Sequence, residues 1–273
     1  LITLIEARTA QGTLLSLPLE DVSSGLIVKE ITGLDPVKAT IVSSPFASMP
    51  GAQYQSSQRE TRNITMKLGL SPDYLTNSVR ELRKTLYNFF MPQSPISLRF
   101  YDSDGLTVDI SGRVESFDSP LFVSEPEAVL SILCFDPDFT DITAVVLSGS
   151  TVASTTSNLY QYDGEVETGF TLVLNVNRTL TEFTLYNKPA DNVTRTLDVA
   201  ASLVSGDVVT ISTIAGAKSV KLTRSGITSS LLYGMTTQSS WIEFFPGDNH
   251  FRVYATGAAI PYTVTYTTRY GGL

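Results

Sequence analysis

Between residues 95 and 111 the chain alternates apolar and polar side chains so regularly that little but a β-strand can use the pattern. Ile96, Leu98 and Phe100 alternate with Ser97, Arg99 and Tyr101; after Asp102-Ser-Asp-Gly105, Leu106, Val108 and Ile110 alternate with Thr107, Asp109 and Ser111. Successive side chains on a strand point to opposite faces, so a period of two buries one face and wets the other. An amphipathic helix would need apolar residues three and four apart. The segment therefore reads as a hairpin about its Asp-Gly turn. The same period returns in Phe170, Leu172, Leu174 and Val176, and in Tyr262, Val264 and Tyr266 against Thr263, Thr265 and Thr267. A mainly β fold is expected. Charged residues are only 17% of the chain, so its 33 threonines and 31 serines must keep the outer faces wet, and threonine also suits a pleated surface.

One segment departs from this period. Ser78 and Glu81 form an S-x-x-E capping box, Val79, Leu82 and Leu86 follow at helical spacing, and Pro92 ends the run. The spacing predicts one amphipathic helix over about residues 77–90, three to four turns long, lying over one face or open end of the N-terminal sheet.

A chain of 273 residues suggests two domains at about 150 residues each. Of the 33 threonines, 23 lie beyond Pro137, and residues 149–158 form a polar low-complexity stretch expected to be an exposed loop or linker. The boundary is expected within residues 136–150. Residues 1–137 read as a β-barrel-like or split-sheet domain with one helix, and residues 138–273 as an all-β sandwich.

The net charge is −8, and both halves are acidic, with 11 bases against 16 acids up to residue 137 and 8 against 11 beyond it. A nucleic-acid reader normally carries the opposite sign. Cys134 is the only cysteine, which excludes an intrachain disulfide and a multi-cysteine metal site, and its apolar run suggests a buried, inert thiol. No stretch approaches the apolar length of a membrane span, and the first residues lack the basic start and apolar block of a secretory signal. Assembly in a reducing cytoplasm is expected.

Catalytic motifs fail one by one. His250, the only histidine, follows a Pro-Gly-Asp-Asn turn and reads as an exposed flank; no G-x-S-x-G elbow occurs. Gly216-Ala-Lys-Ser219 has the wrong spacing for a phosphate loop and reads as a hairpin turn. Asp102-Ser-Asp-Gly105 begins like a calcium loop, but Arg113 stands where the bidentate glutamate is needed. Asp136, Asp138 and Asp141 read as solvated acids, and no carboxylate pair stands out for glycosidase chemistry. No catalytic residue, cofactor or metal ligand is assigned, and the chain is not expected to be an enzyme.

Residues 43–58, Ser-Ser-Pro-Phe-Ala-Ser-Met-Pro-Gly-Ala-Gln-Tyr-Gln-Ser-Ser-Gln, combine two prolines and a glycine with the apolar anchors Phe46, Met49 and Tyr54. Regular pairing is not expected there. Loops this long tend to be functional, and of two readings, a loop folded on its own core or a subunit contact, the second is preferred.

Gly25-Leu-Ile-Val-Lys-Glu-Ile-Thr-Gly33 through Ile41, the irregular loop, and Arg59-Glu-Thr-Arg-Asn-Ile-Thr-Met-Lys-Leu68 before the helix resemble the N-terminal domain of the siphophage distal tail protein family. Leu185-Tyr-Asn-Lys-Pro, Gly206-Asp-Val-Val-Thr-Ile211, Lys218-Ser-Val-Lys-Leu222, Phe244-Phe-Pro-Gly-Asp-Asn249 and the tail Tyr266-Thr-Thr-Arg-Tyr-Gly-Gly-Leu273 come in the order of that family's galectin-like C-terminal sandwich. The resemblance implies a structural protein at the distal end of a long non-contractile tail, in the virion and assembled in the host cytoplasm. Its N-terminal domains would close into a hexameric ring between the tail tube protein and the tail-tip hub protein, with genomic DNA passing through unbound. The C-terminal domains would offer a platform to receptor-binding or side-fibre proteins. Ring closure needs one patch to meet a different patch on the neighbour, and Phe46, Met49 and Tyr54 are the candidates for one side. The alternative is a carbohydrate-binding adhesin using Trp241, Tyr233, Tyr254 and Tyr262 as an aromatic platform.

Overall fold

In the computed structural model, which describes residues 1–75 and 77–273, strands dominate. β1 (Ile2–Thr9), β2 (Leu14–Pro18), β3 (Leu26–Thr32), β4 (Ala39–Pro45), β5 (Ala52–Arg59) and β6 (Arg62–Leu70) precede the helix α1 (Val79–Phe89). β7 (Pro95–Asp102), β8 (Thr107–Asp118), β9 (Glu127–Cys134) and β10 (Phe139–Ser150) follow it. Then come β11 (Asn158–Tyr162), β12 (Phe170–Asn175), β13 (Leu180–Pro189), β14 (Arg195–Leu203), β15 (Val208–Ser212), β16 (Ser219–Arg224), β17 (Ile227–Ser230), β18 (Gly247–Tyr254) and β19 (Pro261–Tyr270). The chain forms two compact units, Leu1–Ile142 with Gly271–Leu273, and Thr143–Tyr270.

In the first unit β2, β1, β7 and β8 pair in that order, all antiparallel. The far half of β8 pairs with β9, which pairs with β6, which pairs with β3. β8 thus serves two layers, and a register shift between Val114 and Ser116 bends it at the changeover. Gly112 sits there because a Cβ would lie 2.7 Å from the Leu133 carbonyl oxygen. Ile96, Leu98 and Phe100 of β7 are buried, as are Val108 and Ile110 of β8, so the hairpin buries the face its alternation marks. The helix starts one residue after Ser78, whose hydroxyl accepts from Glu81 N while Glu81 caps Ser78 N in return. Leu82, Leu86 and Phe89 form its buried stripe, and it packs on β1 and β6. Each such leucine removes apolar area from water worth about 1.5–3 kcal/mol. Cys134 lies in this core, where burial pushes its thiol pKa up to about 11.

The second unit is a sandwich. One layer runs β10, β19, β12, β15, β16, β17, and the other β11, β18, β13, β14. Phe170, Leu172 and Leu174 of β12 and Val264 of β19 meet Phe183 and Leu185 of β13 and Phe251 and Val253 of β18 in one core. Phe170 stacks on Phe244 at 4.8 Å and meets Phe251 edge-on at 5.6 Å; such pairs add about 0.5–1.5 kcal/mol to simple burial. Residues 149–158 are less open than their composition suggests. Thr151 is buried, and its hydroxyl accepts from Ile260 N at 3.0 Å, so hydrogen bonding overrides polarity at that position.

Candidate subunit interface

The expectation of irregular chain over residues 43–58 is corrected by the structure. β4 and β5 pair antiparallel from Ala39↔Arg59 to Pro45↔Ala52 and form a two-stranded sheet of their own. The prolines are tolerated because Pro45 ends a strand and Pro50 lies in the connecting loop, where no ladder donor is lost. A register shift between Val42 and Ser43 leaves one extra residue on β5, which adds twist to the ribbon.

Among the described residues this ribbon is largely uncovered. Ile41 is 65% exposed, Phe46 42%, Met49 62% and Tyr54 62%. Tyr54 spends its hydroxyl within the ribbon, on Ser57 Oγ at 2.8 Å, and Phe46 N closes the tip on Gly51 O at 3.3 Å. The three anchors named from the sequence thus share one projecting arm, with Phe46 and Met49 at its tip and Tyr54 on its second strand. Ile41 and Val42 extend the apolar surface along the first strand; their neighbours in sequence are polar, so only the placement of the hairpin shows them to be uncovered. A lone two-stranded hairpin is marginally stable in water, and this one carries its apolar residues outward.

The arm is held at its root by Arg62. The side chain is 1% exposed. Its Nε donates to Pro137 O at 2.6 Å, Nη1 to Gly33 O at 2.6 Å and Asp35 O at 2.7 Å, and Nη2 to Gly271 O at 2.5 Å. The guanidinium also lies 4.4 Å over the Phe139 ring. Burial lowers its pKa from the ordinary value, against the pull of Cys134 and Asp138. Gly33 has φ +87°, and a Cβ there would meet Asn63 O at 2.0 Å, so the segment entering the arm passes Arg62 only as glycine. Arg59, the last residue of the arm, pairs with Asp138 at 3.1 Å. Asp138 is therefore no solvated acid as expected: it is buried, and its charge anchors the ribbon.

Other sequence candidates are dispersed. Among the described residues no group of three or more His, Cys, Asp or Glu side chains is placed to hold a metal ion, and no helix is long and apolar enough to cross a membrane. Gly216, Ala217 and Lys218 lie in the connection between paired β15 and β16, and Ser219 opens β16. His250 lies within β18 rather than beside it. Of the proposed aromatic platform, Tyr262 is buried in the sandwich core and Trp241 is partly buried against it, whereas Tyr233 is exposed. Two of the sequence motifs do converge. Leu185–Pro189 and Phe244–Asn249 meet because Pro189 pairs with Asn249 across β13 and β18. Within the core Asn187 Nδ2 donates to Asn249 Oδ1 at 3.0 Å, and Asn249 Nδ2 holds the turn through Phe245 O at 2.7 Å and Gly247 O at 2.9 Å.

Residues 163–270 match the family model of the siphovirus-type tail component, C-terminal domain. Over 97% of this chain and 98% of the other, the fold superimposes on the crystal structure of Dit (gp 19.1) of phage SPP1 with a TM-score of 0.70 at 16% identity. A chain of the phage P2 baseplate in its activated conformation aligns over 99% of both chains at 9% identity, with a TM-score of 0.47. Curated protein sequences give no match. Residues 163–270 thus match the C-terminal domain of a siphovirus-type tail component, and the chain as a whole has the fold of SPP1 Dit.

Proposed function

We propose that this protein is a non-catalytic ring subunit at the distal end of a long tail. In this reading six copies close a collar between tail tube and tail-tip hub, and DNA passes through without being gripped. The observation that carries the reading is the β4–β5 arm: an uncovered apolar ribbon that its own chain does not stabilise gains most by lying on a neighbouring copy. A contact between an arm and a different surface of the next subunit is heterologous, and heterologous contacts that close make rings. The number six rests on the family resemblance. The acidic charge agrees with a channel that avoids neutralising phosphates. The sandwich unit serves as the docking platform for receptor-binding or fibre proteins.

Native mass spectrometry and negative-stain imaging of the purified chain, alone and with tube or hub protein, test the reading. Six-fold rings are expected in at least one condition. A chain that stays monomeric with both partners present overturns it.

A further inference from the structure

The convergence of Asn187 and Asn249 in the core has a counterpart on the opposite, outward face of the same strands. There Lys188 stands directly across from His250, and Tyr186 across from Arg252. Together with Thr155 and Ser157 they line a groove of about 430 Å³, within the range of small-ligand sites. No carboxylate lines this groove, although the chain carries a net −8. Among the described residues none of Lys188, His250 and Arg252 forms an ion pair; Asp248, the nearest acid along β18, is not part of the lining. Lys188 and Arg252 are diagonal neighbours across the two strands, so two positive charges share the groove with no carboxylate in its lining, and a ligand of opposite sign relieves their mutual repulsion.

Arg252 is held ready for such a ligand. Its guanidinium lies 4.1 Å over the Tyr186 ring, and Nη1 donates to Thr155 O at 2.7 Å, the one hydrogen bond of this side chain among the described residues. Nη2 keeps its donors, and a planar guanidinium suits phosphate and carboxylate oxygens. Lys188 and His250 are exposed and add donors across the groove. The hydroxyls of Thr155 and Ser157 bring neutral donor and acceptor capacity to the same wall.

We propose that this groove binds an anionic polyhydroxylated small ligand, one phosphate or carboxylate carried on a polyol or sugar skeleton. The charge is taken by Arg252 and Lys188, with His250 beside them, and the skeleton's hydroxyls by Thr155 and Ser157. This goes beyond the assembly role and does not depend on ring formation.

Isothermal titration calorimetry on the full chain tests it with glycerol 3-phosphate, glucuronate, glycerol, glucose and inorganic phosphate. The phosphate and carboxylate arms separate the two sources of the anion, and binding by either supports the proposal. Saturable binding weakened by added salt is expected, with the neutral compounds at least about tenfold weaker. Lys188→Gln and Arg252→Gln should each weaken binding by about tenfold, with the thermal transition unchanged for Lys188→Gln. Equal binding of glucose, equal affinity for inorganic phosphate, indifference to both substitutions, or no binding of either anion overturns the assignment.

Discussion

Arg62 reaches the carbonyl of Gly271, 209 residues later in the chain, with a 2.5 Å hydrogen bond from Nη2. The same guanidinium takes the carbonyls of Gly33, Asp35 and Pro137, so one buried charge ties four chain segments at the base of the projecting arm. Hydrogen bonds to a charged group are each worth about 1.5–3 kcal/mol net and do not add when they share a donor. The relationship makes Arg62 a structural residue of the arm's root, and it yields the first expectation.

Replacing Arg62 with Ala removes the buried donor shared by four carbonyls and should lower stability by roughly 3 kcal/mol. Lys cannot reproduce the planar fork, so Arg62→Lys should recover only part of the loss. Urea unfolding of both variants measures this. A midpoint for Arg62→Ala equal to that of the parent shows that the carbonyls find other donors.

Changing Phe46, Met49 and Tyr54 together to Ser should abolish ring formation while leaving the far-ultraviolet circular dichroism and the thermal transition close to those of the parent. The side chains are exposed, so removing them takes little from the folded monomer, and surface changes usually stay within about 0.5 kcal/mol. Rings unaffected by the triple change, seen by electron microscopy, remove this arm from the contact.

Alkaline stability should depend on Cys134. Burial pushes the thiol from its ordinary value near 9 up to about 11. The folded state keeps the proton where the unfolded state has lost it, so the contribution is fully present below pH 9 and falls as pH rises to about 11, by about 2–3 kcal/mol in all. Cys134→Ala should flatten this part of the profile of urea midpoint against pH. An identical slope in the two proteins assigns the alkaline loss to other groups, among them buried Tyr162, whose hydroxyl is raised to about 12.

Acid stability should depend on Asp207 in the sandwich. Its carboxylate takes Arg224 Nε at 2.8 Å and Nη2 at 2.6 Å, and Val204 N at 2.8 Å; the Arg224 contact is the largest cause of its lowered pKa. A depressed folded pKa stabilises above the unfolded value of about 3.9 and is lost as pH falls through the folded one. Asp207→Asn should therefore unfold at lower urea than the parent at neutral pH, and the two midpoints should converge in acid. A constant gap down to low pH means the substitution acts through packing and not through charge.

The period-two stretches, the capped helix and the one buried thiol were readable from residues alone, because each is decided by neighbours within a few positions. Ile96, Leu98 and Phe100 are buried in the pattern they spell, and Ser78 with Glu81 closes the helix they predict. The arm was only half readable. Phe46, Met49 and Tyr54 stood out as apolar residues in a polar run, but the prolines hid the pairing of β4 with β5. Asp138 was misjudged for a similar reason: its burial depends on Arg59, 79 positions away in the chain, and no local spacing reveals a partner so distant.

What the chain determines by itself is which faces are wet and which are dry, since that follows from the side-chain period and needs no knowledge of partners. Long-range relations belong to the tertiary structure. Only there do Arg62 and Gly271 meet, does the ribbon stand uncovered, and do Lys188 and His250 share a groove with no counter-charge. These juxtapositions arise from strand register and chain reversal, which bring together residues far apart in order, and the free energy that selects them is summed over the whole core.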